Sequence, residues 1–589
     1  MLLLGFVFLI LTNLFGIYAP QVVREAIDYA ENVLSSSESK ETYDYALLKN
    51  TPISYKISVS LSGIFIFLGF LYLVVSVIKG IFLFFTRQTI IVMSRYIEFD
   101  LKNEIYQHYQ ALGLSFYKRQ NTGDLMNRIS EDVSRVRMYF GPAIMYTINM
   151  IILFILVIVA MLSINVKLTL YVLTPLPILS ISIYFVSNII NKKSERVQNQ
   201  LSNLSNFVQE AFSGIRVIKA YTKGFEREQK FETELEEYRN RSLRLVKVNA
   251  IFIPLMMLLI GLSTIITIYI GGKLSMAGEI STGNIAEFVI YVNMLTWPVA
   301  ALGWVTSLVQ RAAASQERIN EFLMLDPDIK NTNESRSSIE GKIEFKDVSF
   351  VYPDSGIVAL DKINFSLDQG KSLAIMGRTG SGKSTLANLV CRLYDVTGGE
   401  LFIDNTNIKE LNLNDLRHNI GYVPQEDFLF SDDIANNIAF GSKDEDVSQA
   451  DIESAAMKAQ VHENIIDFPD GYKTKVGERG ITLSGGQKQR ISIARAIIKK
   501  PQILIFDDSL SAVDTETEEK IINELKDQMN NRTSLIISHR VSSVKHCDHI
   551  LILDEGQIVE QGTHHELLAL NCSYHELYQK QLLDAEETS

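Results

Sequence analysis

The chain has 589 residues, 47% of them hydrophobic, and a formal net charge of −12. So long a chain exceeds what a single core serves, and two or three domains are expected; the negative balance excludes a general nucleic-acid binder. Cys391, Cys547 and Cys572 are far apart and without metal-ligand spacing, so they read as reduced cytosolic thiols rather than as a disulfide framework.

Apolar residues crowd into the first half. Six stretches, near 2–22, 58–86, 139–163, 167–191, 249–271 and 285–309, reach the length of about 20 residues that crosses a bilayer. The first, MLLLGFVFLILTNLFGIYAPQ, competes with a secretory leader, but it has no basic start and its apolar run is long for one. Connections 87–138 and 192–248 are long and basic, with Lys118-Arg119, Lys192-Lys193 and the run from Arg239 to Arg244. The opposite loops are short (163–167, 271–284) or acidic (31–57, with Glu31, Glu38, Glu41 and Asp44). This bias puts the long connections in the cytoplasm, and an even number of spans puts both termini there too. YIEFDLKNEIYQHYQAL and VQNQLSNLSNFVQEAF carry helical apolar spacing without Pro, so the spans are expected to continue as helices beyond the bilayer. Pro20, Pro175, Pro177, Pro254 and Pro298 lie in spans, where each frees a carbonyl and favours a kink. Trp297 and Trp304 in the sixth span suit packing better than a cargo pathway, and Lys79 is expected to snorkel to the cytoplasmic surface. Buried charge is nearly absent from this reading of the spans.

Residues 326–342 are a polar linker between a membrane domain, 1–325, and a second domain, 343–582, that leaves a tail at 583–589. In the second domain strand-like runs (Ile343 to Tyr352, Ser372 to Met376, Ile503 to Asp507, Ser534 to Ser538, Ile550 to Leu553) alternate with helical ones. The fold class is therefore an α-helical transmembrane bundle with long cytoplasmic extensions, followed by an α/β phosphate-loop domain.

The second domain carries the chemistry. Gly377-Arg378-Thr379-Gly380-Ser381-Gly382-Lys383-Ser384-Thr385 follows the apolar run SLAIM and precedes the helix-like LANLVCRLY. Strand, glycine-rich loop and helix in that order form a phosphate cradle. The loop amides and helix start face anionic oxygens; Lys383 reaches the β- and γ-phosphates and Ser384 ligates Mg²⁺. ILIFDD ends a buried strand in two carboxylates, with Asp507 placed to hold Mg²⁺ and Asp508 to orient or deprotonate the attacking water. In LSGGQKQR a second helix starts at Ser484-Gly485-Gly486-Gln487, again with free amides for an anion.

With that last motif the second domain resembles the nucleotide-binding domain of ABC transporters, whose signature is LSGGQ, and the first resembles their six-helix exporter-type membrane domain. The resemblance implies that Tyr352 stacks on adenine, that Gln425 contacts Mg²⁺ and the membrane-domain interface, and that His539 contacts the γ-phosphate. It also places Asp514 at a dimer interface and Gly477 to Gly480 on the partner's cytoplasmic helices. TGDLMNRISEDV and EAFSGIRVIKAY resemble the segments that flank and form the two coupling regions. In this family each ATP lies between one chain's phosphate loop and the other's signature motif, so one copy of each implies a dimer of half-transporters.

The implied activity is ATP-driven, alternating-access export of an amphipathic or lipophilic compound, drug or lipid across the cell (inner) membrane. An ATP-regulated channel or membrane regulator is the rival, which the six spans and intact LSGGQ disfavour. Two departures stand out. The chain opens directly in its first span, without the preceding interfacial helix, which leaves open whether its start is complete. The family's Asp-Glu pair is Asp507-Asp508 here, which points to a weak catalytic site and a heterodimer in preference to a homodimer.

Overall fold

The computed structural model describes residues 1–35, 43–47, 55–59, 61–443, 446–477, 480, 482–509 and 532–588. Asp514, Glu478 and Arg479, and most of the acidic loop 31–57, lie outside the described residues. The chain forms two compact units, Met1–Gln107 with Met126–Met324, and His108–Leu125 with Leu325–Ser589.

The first unit is built on long helices: α1 (Leu2–Ser35), α2 (Leu61–Ala111), α3 (Ile144–Ile164), α4 (Pro175–Ser213), α5 (Gly224–Met276) and α6 (Thr282–Leu323). Among the described residues five helices are long and apolar enough to cross a membrane: Leu2–Asn32, Gly63–Ala111, Thr122–Ile164, Gly224–Met276 and Thr282–Leu323. The stretch expected as a fourth span, 167–191, is helical in two pieces, Val166–Leu173 and α4, which meet where Pro175 withholds a backbone donor. The 53 residues of α5 extend about 80 Å, well beyond a hydrocarbon core of about 30 Å. The helical extensions read from the sequence are thus present. Within the acidic loop, β1 (Tyr43–Leu47) pairs antiparallel with β2 (Tyr55–Val59), which the charge bias of that loop had hidden.

The core of this unit packs Val157 and Met161 of α3 against Phe288, Tyr291 and Leu295 of α6. Helices α1 and α6 meet closely at Gly283, where a Cβ would stand 2.5 Å from the Arg24 carbonyl oxygen. Asp28 caps the start of α6, accepting from the Gly283 amide (2.7 Å) and the Ser281 hydroxyl (2.8 Å). One turn on, Glu287 is fully buried and corrects the reading of spans nearly free of buried charge. Its carboxylate accepts from Arg24 (3.3 Å), Tyr291 (2.9 Å) and Asn284 (3.3 Å), the compensation that an acid removed from water requires. Trp304 packs edge-to-face on Tyr146, while Trp297 is 65% exposed.

The second unit holds two sheets. A six-stranded sheet runs in the order β12 (Gln557–Gly562), β11 (His549–Asp554), β5 (Ser372–Gly377), β10 (Thr533–Ile537), β9 (Ile503–Asp507), β8 (Ile420–Val423). All its pairings are parallel except β11 with β12. The smaller sheet is antiparallel: β4 (Val358–Leu367), β3 (Ile343–Val351), β6 (Gly398–Ile403), β7 (Thr406–Asn407). Every residue of β9 is buried, because a parallel sheet covered on both faces has no solvent side. The helices that matter for the site are α7 (Lys383–Val390), α8 (Gly485–Ile498) and α9 (Ser573–Thr588). The piece His108–Leu125 belongs here: Leu114 packs on the core, Arg119 donates to the Pro353 carbonyl (2.7 Å) and Ser115 bonds to Asp328.

Candidate nucleotide site

Strands β5, β10 and β9 are adjacent and parallel, so the segments that leave their carboxyl ends open on one edge of the sheet. From β5 leaves the glycine-rich loop, from β9 Asp507 and Asp508, and from β10 Ser538 and His539. Gly377 has φ 149°, and a Cβ there would overlap the Leu553 carbonyl. Only glycine lets the loop turn against β11 at this point.

These ends surround a cavity of about 360 Å³. Thr379, Gly380, Gly382, Lys383, Ser384 and Thr385 form its loop side. Tyr352, Gln425, Asp507, Asp508 and His539 face it from four other segments of the chain. Of the loop residues singled out in the sequence, Gly377, Arg378 and Ser381 are not on the cavity wall; Ser381 is buried and its Oγ has no partner among the described residues. Ser484 and Gln487 are also off this wall, closing a capping box on the first turn of α8.

Lys383 folds back so that Nζ donates to the carbonyls of Gly377 (3.0 Å) and Arg378 (2.7 Å). Burial lowers its pKa, opposed by the charges of Asp508 and Asp507. Ser384 Oγ donates to Asp507 Oδ1 at 2.9 Å. Burial raises the Asp507 pKa and Asp508 adds to the effect, while Ser384 and Lys383 act the other way. Burial also lowers the His539 pKa, helped by Lys383 and opposed by Asp508. Asp508 takes a left-handed backbone (φ 47°), and its amide donates to the Ile537 carbonyl at 2.9 Å.

Tyr352 shares a hydrogen bond with Thr385 Oγ1 (2.9 Å) and meets Phe350 and Tyr394 edge-on. Lys118 Nζ stands 4.6 Å from its ring centroid. Sequence reading missed Lys118 and Tyr394 here, since a basic residue in a basic loop carries no signal of its partner. The oxygen donors Ser384, Asp507 and Gln425 fit a hard, oxygen-seeking cation such as Mg²⁺ better than a thiophilic metal. A retractable ammonium, a turn of free amides and a hydroxyl–carboxylate pair together suit a nucleoside triphosphate.

Comparison with known proteins agrees with this geometry. Residues 2–299 match the family described as ABC transporter transmembrane region, and residues 360–511 match the one described as ABC transporter. An uncharacterized ABC transporter ATP-binding protein of Bacillus subtilis, YknU, is 37% identical over 88% of each chain. The multidrug resistance-like ATP-binding protein MdlA of Escherichia coli is 34% identical over 82% of each. An ATP-dependent lipid A-core flippase of Pseudomonas fluorescens is 35% identical, covering 81% of this chain and 79% of its own. A solved bacterial Atm1-family ABC exporter with ATP bound shares the fold, with TM-score 0.76 at 23% identity over 98% of this chain and 99% of that one. A helical membrane region fused to an ATP-binding cassette, matched over most of its length by such relatives, makes this chain a member of the ABC transporter family, an ATPase that couples hydrolysis to export.

Proposed function

We propose that the chain is one half of a dimeric exporter that moves an amphipathic or lipophilic compound out through the cell membrane, with its nucleotide unit and both termini in the cytoplasm. The observation that carries this reading is the division of the anion-binding turns. The phosphate loop, Asp507, Asp508 and His539 share one cavity, whereas the Ser484 turn of the same chain is not on its wall. A second chain would bring its own such turn over the open side, and ATP then holds the two together. Lys383 swings from the loop carbonyls to the β- and γ-phosphates, Tyr352 stacks on adenine, and Ser384, Asp507 and Gln425 would hold Mg²⁺. That ion supplies charge neutralisation between the phosphates when bound. Asp508 orients the attacking water and the His539 imidazole contacts the γ-phosphate. Closure and release then drive alternating access in the membrane unit.

The partner is a different half-transporter. Asp508 is one methylene shorter than the usual Glu, which withdraws its carboxylate by about 1 Å, and a misplacement of that order costs about 10²-fold in rate. The intact Ser484 turn lets this chain complete a competent site on a partner that carries Glu. Expression of the chain alone, with turnover compared to Asp508→Glu, tests the reading. Slow hydrolysis that the substitution accelerates about 10-fold or more supports it. Vigorous cargo-stimulated turnover by the wild-type chain alone, unimproved by Glu, overturns the heterodimer.

A further inference from the structure

The segment that carries His539 is held from the last helix of the chain. Nε2 of Gln581, on α9, donates to the carbonyl of His539 at 2.7 Å, and its Oε1 accepts from the amide of Val541 at 2.8 Å. One side-chain amide therefore joins the backbone on both sides of Arg540. From this geometry we propose that Gln581 is the positioning residue for His539, and that the C-terminal helix sets where the imidazole stands in the nucleotide cavity.

The fit is specific. A backbone carbonyl and the amide two residues on need one donor and one acceptor, and the planar side-chain amide of Gln offers both from adjacent atoms. Asn is a methylene too short from the same helix. The register of α9 is fixed independently of this contact. Glu560 accepts from the amides of Ser573 (2.6 Å) and Tyr574 (3.2 Å) at the helix start, and the Tyr574 hydroxyl bonds to His564 Nδ1 at 2.6 Å. Tyr574, Leu577 and Tyr578 pack into the cluster that contains Val541 and Val544. Positions 574, 577, 578 and 581 follow the i, i+3, i+4, i+7 spacing of one helix face. The stripe that docks α9 thus delivers Gln581 to the histidine segment one turn further on. The two bonds end within two residues of each other, at a point where β10 has finished and the next helix, Val541–Val544, has only begun. Beside the Gln581 bonds, the Ser538 hydroxyl accepts from the Arg540 amide at 3.0 Å and the Ser538 amide donates to the Ile375 carbonyl at 3.2 Å.

The proposal rests on the reading of His539 as the γ-phosphate contact, and a double-mutant cycle in the purified full-length chain expressed alone, where every nucleotide site carries this His539, separates the two. Gln581→Leu keeps the size of the side chain and removes both bonds. It is expected to lower kcat about 10-fold with KM for ATP changed less than about 2-fold, since nucleotide binding rests on other residues. In a His539→Ala background the same substitution is expected to have no further effect. Gln581→Glu keeps the bond from Val541 and opposes the His539 carbonyl, so it falls between wild type and Leu. Amide exchange of the peptide across 538–542 is expected to quicken in Gln581→Leu while that of α7 is unchanged. Equal fold-losses with and without His539, a rise in KM at constant kcat, or unchanged exchange would overturn the positioning role. Full turnover in His539→Ala alone would instead overturn the reading of His539, and the positioning role with it.

Discussion

Lys383 illustrates how much of the site depends on single atoms. Its ammonium rests on two carbonyls of its own loop, so an entering triphosphate displaces weak neutral acceptors rather than a salt bridge. Lys383→Ala is expected to cut ATP turnover at the site on its own loop by at least about 10²-fold, the usual loss when one preorganised charge donor is removed, and a turnover assay on the chain expressed alone, where every site carries this loop, checks it. Asp508 shows a local compromise: Asp is among the few non-glycine residues that tolerate a left-handed backbone, so a Glu there gains reach at some conformational cost. Asp427, two residues after Gln425, has its pKa pushed up to about 6 by burial, against the opposing effects of Ser492, Arg495 and Lys488. A carboxyl whose folded pKa is raised binds its proton more tightly when folded than when unfolded. Its contribution is therefore destabilising above about pH 6 and fades as pH falls toward 3.8. Asp427→Asn should raise the unfolding temperature at pH 7.5, by no more than about 3 kcal/mol in free energy, and lose that advantage near pH 4. Thermal unfolding at the two pH values would show it.

Among the elements, the start of α6 combines a capping box between Ser281 and Asn284 with the Asp28 carboxylate from α1. Asp28→Ala should cost about 1 kcal/mol, seen as a lower melting temperature of the solubilised protein. How legible an element was in the sequence followed from its surroundings. Strands β5, β9, β10 and β11 are central and covered on both faces, so their continuous apolar runs stood out. Strand β4 (VALDKINFSL) and β12 (QIVEQG) sit at sheet edges, alternate with polar residues, and did not. The phosphate loop was readable because its function is local: strand, turn and helix are consecutive. Asp507 was readable as the acid that ends a buried strand, whereas Gln425 and His539 needed the family resemblance, since nothing in their own neighbourhoods says that they meet the loop. Gln581 and Glu287 were invisible because each acts on residues distant in sequence, at His539 and at Arg24. A lone Gln in a polar helix and a lone Glu at the rim of a span look like solvated side chains.

At the scale of the molecule, Glu287 ties the first and last helices of the membrane unit. Its side chain is 1% exposed and its cation, Arg24, comes from α1. Removal of one partner from a buried ion pair strands the other, at about 3–5 kcal/mol. Arg24→Ala should therefore destabilise the membrane unit severely, and Glu287→Gln should do so less because the Tyr291 hydroxyl keeps an acceptor; detergent melting curves would rank the two. The nucleotide unit, like the membrane unit, is assembled from pieces that are not consecutive. His108–Leu125 interrupts the membrane unit in sequence yet sets Leu114, Ser115, Lys118 and Arg119 on the cassette. No single cut in the gene separates the two units. A chimera that exchanges only the second half with a relative would leave Lys118 facing a foreign aromatic and Arg119 a foreign carbonyl, whereas a graft that carries both pieces transfers an intact module. The information that builds the cassette is thus written in two separate stretches of one chain, and an exchange between relatives keeps its contacts only when it carries both.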